Sequence, residues 1–161
     1  MNEGHVTHAQ DHGIHVLRYF GRVNFMLAPG IQRFVDRLIE DGGVSGLVFD
    51  LTQANSLDST NLGLMARVNE RLQHEGAANS VILSSEGDID MVLRSMGFDQ
   101  TFDVLTTGTE APPTTSEPIV TESPSAAELR QTMLAAHQAL MRLSEAGRLE
   151  FEPVVACLER S

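Results

Sequence analysis

Short apolar segments recur along the first two thirds of the chain, and they predict strands. Residues 14–20, IHVLRYF, alternate apolar and polar side chains as a half-buried strand does, and residues 22–25, RVNF, fit a second short strand. GLVFDL at 46–51 and SVILS at 80–84 are nearly continuous apolar runs, which are typical of strands covered on both faces. TFDVL at 101–105 fits a last strand.

Three amphipathic segments lie between these strands. Pro29 is expected at N1 of the first helix, the second helix begins near Ser59, and Gly97 ends the third. The apolar faces are Ile31, Phe34, Val35, Leu38 and Ile39 in the first helix, Leu62, Met65, Ala66 and Leu72 in the second, and Ile89, Val92, Leu93 and Met96 in the third. Strands that alternate with helices in this way predict one α/β domain over residues 14–105.

The pattern changes at both ends of that domain. Residues 1–13 are polar and predict a flexible N-terminal segment. Residues 106–124 are rich in Thr, Pro, Ser and Glu, and they have too little apolar area to offset the entropy of ordering. They predict a disordered linker. Residues 125–161 predict a C-terminal helical extension, which opens with a capping box between Ser125 and Glu128.

A narrow apolar seam runs along the first helix of this extension, which Gly147 is expected to end. The seam consists of Leu129, Met133, Ala136, Leu140 and Leu143. Its spacing is of the coiled-coil kind, but five positions are few for an independent coiled coil. The seam therefore predicts docking on the chain's own domain, self-association, or a second interface that captures a partner.

Composition excludes several classes of partner. The 161-residue chain has a net charge of −11 and contains no Lys. It has no cluster of basic residues, and such clusters are what bind nucleic acids and anionic membranes. The single Cys157 indicates a reducing compartment, and no apolar run is long enough to span a membrane. These properties predict a cytoplasmic protein, which we expect to be a monomer.

A polar loop and a helix start follow the buried strand at 46–51. Within DLTQANSLDSTNLG, residues 50–63, either Asp58 or Ser59 is suited to cap the second helix. Helix N-termini accept anions, so a phosphate on Ser59 would cause little strain and would add nearly two negative charges. Taken alone, a serine before a helix is more often only a cap.

The segment VFDLTQANSLDSTNLGLMARV resembles the signature of the STAS family of anti-sigma factor antagonists. That signature is a strand ending in Asp-Leu, a short loop, and Asp-Ser-Ser-Gly-Leu-Gly at a helix start. Gly21 with the helix at Pro29, and the run EGDIDMVLRSMGFDQTFDVL, are similar to the family's opening and closing elements. The resemblance covers residues 14–105 and implies a mixed central sheet of four to five strands with helices packed on it.

The resemblance also implies a function. An anti-sigma kinase of the Ser/Thr class would phosphorylate Ser59, and a PP2C-type phosphatase would reverse the modification. The unphosphorylated form would bind an anti-sigma factor and so free a sigma factor. Ser56 and Thr60 are alternative acceptors, and the expected phospho-loop and partner-binding residues are Asp58, Thr60, Asn61, Leu62 and Gly63. Thr60 and Asn61 replace the family's Ser and Gly, and Asn is expected to preserve the turn.

The length and the Ser-Thr-Asn run are similar to a branch of the family that acts in a flagellar sigma and biofilm pathway, in which the phosphorylated form has a second partner. The alternative is a constitutive STAS subunit of a transport or sensory scaffold complex. We expect no enzyme activity, no cofactor and no metal. Glu86, Asp88 and Asp90 fit a helix N-terminus rather than acid–base catalysis. His5, His8, His12 and His15 lack the spacing of a closed zinc site.

Overall fold

The computed structural model describes residues 3–106 and 116–161, which form one sheet and six α-helices. The strands are β1 (His5–Asp11), β2 (Ile14–Val23), β3 (Gly46–Leu57), β4 (Val81–Ser84), β5 (Asp103–Thr106) and β6 (Glu117–Pro118). The helices are α1 (Ala28–Asp41), α2 (Ser59–His74), α3 (Asp88–Ser95), α4 (Phe98–Thr101), α5 (Ala126–Leu143) and α6 (Glu145–Arg160), and a 3₁₀ turn spans Phe25–Leu27.

The sheet is mixed, with the strand order β5-β4-β3-β2-β1-β6. Strands β2 to β5 run parallel to one another, while β1 is antiparallel to both β2 and β6. The predicted α/β class is confirmed, although the sheet has six strands instead of four to five. Parallel neighbours need crossover connections, which the helices supply. The carboxyl ends of β2 to β5 therefore share one edge of the sheet, and α2 begins at that edge.

The N-terminal segment is ordered where the sequence predicts flexibility. Residues 5–11 form β1, which pairs along its whole length with β2, and the Val6 side chain is buried. His12 and Gly13 join the two strands with positive φ angles of 50° and 81°. Two left-handed residues make the tight turn that matches the twist of a hairpin. The prediction failed because the turn is His-Gly, a weaker signal than Asn-Gly. The two short strands predicted after it are one strand, β2.

Part of the predicted linker also belongs to the sheet. Residues 107–115 lie outside the described residues, but Glu117 and Pro118 form β6 on the free edge of β1. The Ile119 amide donates to the Val6 carbonyl at 2.9 Å, and the Ile119 side chain is buried. Ile119 thus anchors this short polar segment to the free edge of β1, and the prediction of disorder is wrong for this part.

The core lies between the sheet and the helices. Its largest fully buried side chains are Leu17, Tyr19, Phe49, Ile82, Ile31, Leu64, Met65, Leu93, Phe98 and Leu140. Most were expected from the periodicity, but Val92 is 42 % exposed. Pro29 occupies N2 of α1 rather than N1, because the helix begins at Ala28.

The C-terminal extension packs on the rest of the chain. Helix α5 lies against α2 and α6, and Ala136 and Leu140 of the predicted seam are buried. Ser125 caps α5 as predicted, with its Oγ 3.1 Å from the Glu128 amide. The helix ends at Leu143 rather than at Gly147, which lies in the first turn of α6. Among the described helices, none is long and apolar enough to cross a membrane.

The histidine pair on β1 and β2 predicts a pH dependence of stability. His8 Nε2 and His15 Nδ1 are 2.9 Å apart. Burial lowers the pKa of both side chains, and His15 lowers that of His8 further. The unfolded chain then binds more protons, so stability should fall as the pH drops below about 6.5. We expect the urea midpoint to decrease between pH 7.5 and 5.5. The variant His8→Gln should reduce this decrease, and the exposed control His12→Asn should not.

Candidate functional site

Strand β3 is longer than the sequence predicts and ends directly before the candidate site. The segment TQANSLD was expected to be a loop, yet β3 continues to Leu57. Its pairing with β2 shifts register at two places, between Arg18 and Phe20 and between Gly21 and Arg22. Such bulges let a strand bend without losing its partner. The extension carries the chain directly to Asp58.

Asp50 fixes the first of these bends. Its carboxylate is fully buried and accepts a hydrogen bond of 3.0 Å from Arg18 Nε on β2. It also accepts from the Thr52 amide at 3.0 Å and from the Thr52 hydroxyl at 2.6 Å. The carboxylate therefore ties β2 to β3 at the bulge that leads to the site.

Asp58 is the N-cap of α2, and Ser59 is its first helical residue. Asp58 has extended backbone angles, and its Oδ1 accepts from the Asn61 amide at 3.0 Å and from Asn61 Nδ2 at 2.9 Å. Asn61 Nδ2 also lies 3.4 Å from the Val23 carbonyl at the end of β2. The expectation that Asn61 substitutes for glycine in a turn is wrong, because Asn61 is helical and buried. Its amide holds the start of α2 to the sheet.

The Ser59 hydroxyl points towards the C-terminal extension. Its Oγ is 2.8 Å from His137 Nε2 on α5, and His137 Nδ1 is 2.7 Å from the Met133 carbonyl oxygen. A carbonyl only accepts, so Nδ1 donates to it, and Nε2 is the ring nitrogen that forms the hydrogen bond with the Ser59 hydroxyl. The Phe151 ring on α6 packs edge-on against the imidazole, with ring centroids 5.4 Å apart. His137 is buried, and Ser59 is half-buried.

His137 is the site residue that the sequence did not predict. It lies one position after Ala136 of the predicted seam, and a polar residue beside a narrow seam gives no sign that it faces inwards. His137 and Ser59 are also 78 positions apart in the sequence, so local patterns cannot reveal their contact. Only the packing of α5 on α2 brings the two side chains together.

The alternative acceptors have different surroundings. Ser56 is exposed near the end of β3, whereas the Thr60 side chain is buried. Two grooves flank Ser56 and share Leu57. The first groove has a volume of about 900 Å³. Besides Ser56 and Leu57, it is lined by Glu3, Gly4, Arg22, Val23, Asn24, Met26, Leu27 and Asp58. The other, of about 200 Å³, is completed by Asn55, Leu62, Asp88, Ile89 and Val92. Ser59 lines neither groove.

Gly63 marks the closest approach of α2 and α5. A Cβ atom on this glycine would lie 2.8 Å from the Ala136 Cβ and nearer still to the Ala136 carbonyl oxygen. Only a residue without a side chain allows the two helix backbones to cross at this distance. Gly63 was expected in a partner-binding loop, and the structure places it in a helix-packing contact instead.

Asp90 in the first turn of α3 joins that helix to β4 and β5. Asp90 accepts hydrogen bonds from Ser84 at 2.8 Å, from Thr106 at 3.0 Å and from Arg94 at 3.1 Å. Burial would raise the pKa of Asp90, but these hydrogen bonds outweigh that effect and lower it. Within residues 3–106 and 116–161, no group of three or more His, Cys, Asp or Glu side chains is arranged to hold a metal ion.

The family model for the STAS domain matches residues 5–111. The chain belongs to the STAS family. The match begins at β1 and contains the candidate site from Ser56 to Gly63, but it ends before α5 and α6. A search of curated proteins gives no match.

Solved structures of anti-sigma factor antagonists share the fold. One from Mycobacterium paratuberculosis is 20% identical, with a TM-score of 0.56 over 63% of this chain and 85% of that one. Unphosphorylated SpoIIAA is 16% identical, with a TM-score of 0.51 over 62% and 84% of the two chains. Phosphorylated SpoIIAA, a Bacillus cell fate determinant, is 14% identical, with a TM-score of 0.52 over 63% and 90%. These three structures therefore share the fold of this chain.

Proposed function

We propose that the protein is a phosphorylation-switched anti-sigma factor antagonist and that Ser59 is the phosphoacceptor. The observation that carries this proposal is the position of the Ser59 hydroxyl at the first residue of α2, directly after the Asp58 cap. The same position in the family signature carries the modified serine. Similar folds have been solved both with and without phosphate.

The start of α2 suits such a switch physically. The first amides of a helix have no intrahelical acceptor and lie at the positive end of the dipole, which favours an added phosphate. The phosphate would also lie beside the Asp58 carboxylate and concentrate negative charge at one point of the surface. A partner that fits the neutral surface would then meet like charge or a steric block, without unfolding of the domain.

Ser56 and Thr60 remain alternative acceptors within this proposal. Exposed Ser56, between the two grooves, is open to a modifying enzyme. Buried Thr60 would have to leave the core first, so we rank it last. In this proposal the surface around Ser59 is shaped by Asp58, Asn61, Leu62 and Gly63. Leu62 and Gly63 also take part in internal packing.

The proposed partners follow from the same reasoning. The unphosphorylated form binds an anti-sigma factor in the cytoplasm, a Ser/Thr kinase adds the phosphate and a PP2C-type phosphatase removes it. By its resemblance to the HptB-dependent secretion and biofilm anti-sigma factor antagonist, we assign the protein to a flagellar and biofilm pathway. The phosphorylated form would there engage a second partner.

Phosphopeptide mass spectrometry on the protein from its native cells, with and without phosphatase treatment, tests the acceptor. We expect one phosphate on the peptide that contains Ser59, and none in the variant Ser59→Ala. A phosphate on Ser56 would keep the mechanism and move the site. If no growth condition yields a phosphate, the switch is wrong and the constitutive scaffold subunit becomes the better hypothesis.

Partner capture tests the consequence of the modification. Ser59→Ala should retain binding to the anti-sigma factor, whereas Ser59→Asp should weaken it roughly tenfold or more, because like charges at an interface are strongly unfavourable. Ser45→Asp is the matched control, since it adds the same charge to an exposed serine just before β3, at the opposite end of that strand from the site. Equal affinities for Ser59→Asp and Ser59→Ala would contradict the proposal.

A further inference from the structure

The residues that follow Ser59 in the first two turns of α2 are buried. All seven residues from Thr60 to Ala66 are buried, although a helix at a domain surface normally keeps one polar, exposed face. The sheet and core cover one side of α2, and α5 covers another. Helix α2, which begins with the proposed phosphoacceptor, therefore lies between the sheet and α5.

The contacts of α5 fall on the proposed site itself. His137 takes up the hydrogen bond of the Ser59 hydroxyl, and Ala136 lies directly over Gly63. The imidazole is held in place by the Met133 carbonyl on one side and by the Phe151 ring on another. The hydroxyl that would accept a phosphate is thus occupied by the chain's own C-terminal extension.

The Ser59–His137 pair also has the geometry of a nucleophile with its general base. Catalysis needs a space beside both groups for a substrate, and neither residue lines the two grooves next to the site. The imidazole is buried against Phe151 instead of facing an opening. These surroundings favour a covering role for His137.

We propose that α5 is an intramolecular lid on Ser59, and that this serine becomes available for modification only when α5 leaves α2. Phosphoryl transfer requires an in-line approach of the hydroxyl oxygen to the phosphorus atom, and His137 lies on that oxygen. The lid gives the C-terminal extension, which lies outside the STAS match, a role in regulation. This inference rests on the proposed function for its biological meaning, but the lid itself is a property of the chain.

The contacts that hold the lid are suited to opening. The buried residues of α5 are Ala136, His137, Ala139 and Leu140, and the two alanines bury little apolar area. Arg142 donates two hydrogen bonds of 2.8 Å to the Glu70 carboxylate on α2, and the two side chains are 54% and 42% exposed. Such a segment can detach locally while the sheet stays folded.

The accessibility of position 59 to a thiol reagent tests the lid without any kinase or anti-sigma factor. The parent protein carries Ser59→Cys, with Cys157→Ser to remove the exposed native thiol. The probe is 5,5′-dithiobis(2-nitrobenzoate), used on the full-length chain. Ser56→Cys in the same background is the matched control, because Ser56 is exposed and lies outside the α5 contact. We expect the thiol at position 59 to react slowly and the thiol at position 56 to react fast.

Charge reversal across the lid supplies the decisive comparison. Either Arg142→Glu or Glu70→Arg should accelerate labelling at position 59 roughly fivefold or more, because each replaces an attraction with a repulsion. The two changes together should restore the slow rate. Labelling at position 56 should stay constant throughout. Equal rates in all variants, or an acceleration that the double variant does not reverse, would overturn the lid.

Amide hydrogen exchange on the unsubstituted chain gives a second, independent measurement. We expect the amides of α5 to exchange faster than those of β2 and β3, which open only with global unfolding. Equal protection of α5 and the sheet would show that the lid does not open by itself, and the inference would fail. The proposed phosphorylation switch is tested separately. If protein from native cells carries no phosphate but the thiol-labelling results are as expected, the switch is wrong and the lid still stands.

Discussion

Replacement of Arg18 by alanine is expected to destabilise the protein by about 3–5 kcal/mol, the range for breaking a buried ion pair on one side. The change leaves the Asp50 carboxylate, which is 0% exposed, without its cationic partner. The Thr52 amide and hydroxyl would still donate to it, but they carry no charge. Because a domain of this kind has a net stability of about 5–15 kcal/mol, the loss is a large fraction of the total.

Urea denaturation of Arg18→Ala measures this effect as a lowered midpoint. The matched control is Arg71→Ala, which removes the partner of Asp36 in a pair whose side chains are 39% and 36% exposed. That variant should lose less than about 1 kcal/mol, because water replaces the interaction. Similar losses in the two variants would contradict the role assigned to Asp50 at the strand bend.

Replacement of Gly63 by alanine is the second large effect. Alanine in place of glycine inside a helix would by itself stabilise the protein by about 1 kcal/mol. The added Cβ, however, meets the backbone of Ala136, which cannot move without moving α5. Overpacking of this kind costs about 1–3 kcal/mol, so the clash should outweigh the gain. We expect a lower urea midpoint together with faster thiol labelling at position 59.

Gly46→Ala is the control for this substitution. A Cβ at Gly46 meets only the Cδ1 atom of Ile14 at 3.1 Å, and Ile14 is 42% exposed, so this side chain can turn away. Stability should change little, and labelling at position 59 should not change. If Gly63→Ala is as stable as the unsubstituted protein and labels equally slowly, α5 does not pack on α2 as closely as the structure shows.

The sequence predicted the elements whose signals are local. Apolar runs marked β3 and β4, helical periodicity marked α1, α2 and α3, and the Ser125–Glu128 spacing marked the start of α5. The motif at 58–63 marked the start of α2, which begins at Ser59 after the Asp58 cap. Each of these signals depends on residues a few positions apart, which is why they could be recognised without tertiary contacts.

Several of the failures concern segments that become ordered only by pairing with another strand of the sheet. Residues 5–11 and 117–118 become strands because β2 and β1 offer free edges. The segment after Leu51 continues as a strand because β2 is long enough to pair with it. One local sign was overlooked in α2, where Leu62 to Ala66 contain no polar residue and so predict a helix covered on two sides.

The sequence by itself determined the α/β class, the STAS motif and the position of the candidate serine. The alternation of strands, the helical period and the spacing of a motif depend only on residues that are close together in the sequence. Only the tertiary structure decided what surrounds that serine. His137 reaches Ser59 because Gly63 lets two helices cross closely, and because α6 places Phe151 behind the imidazole. Contacts between elements 78 residues apart depend on packing in three dimensions, which no local pattern encodes.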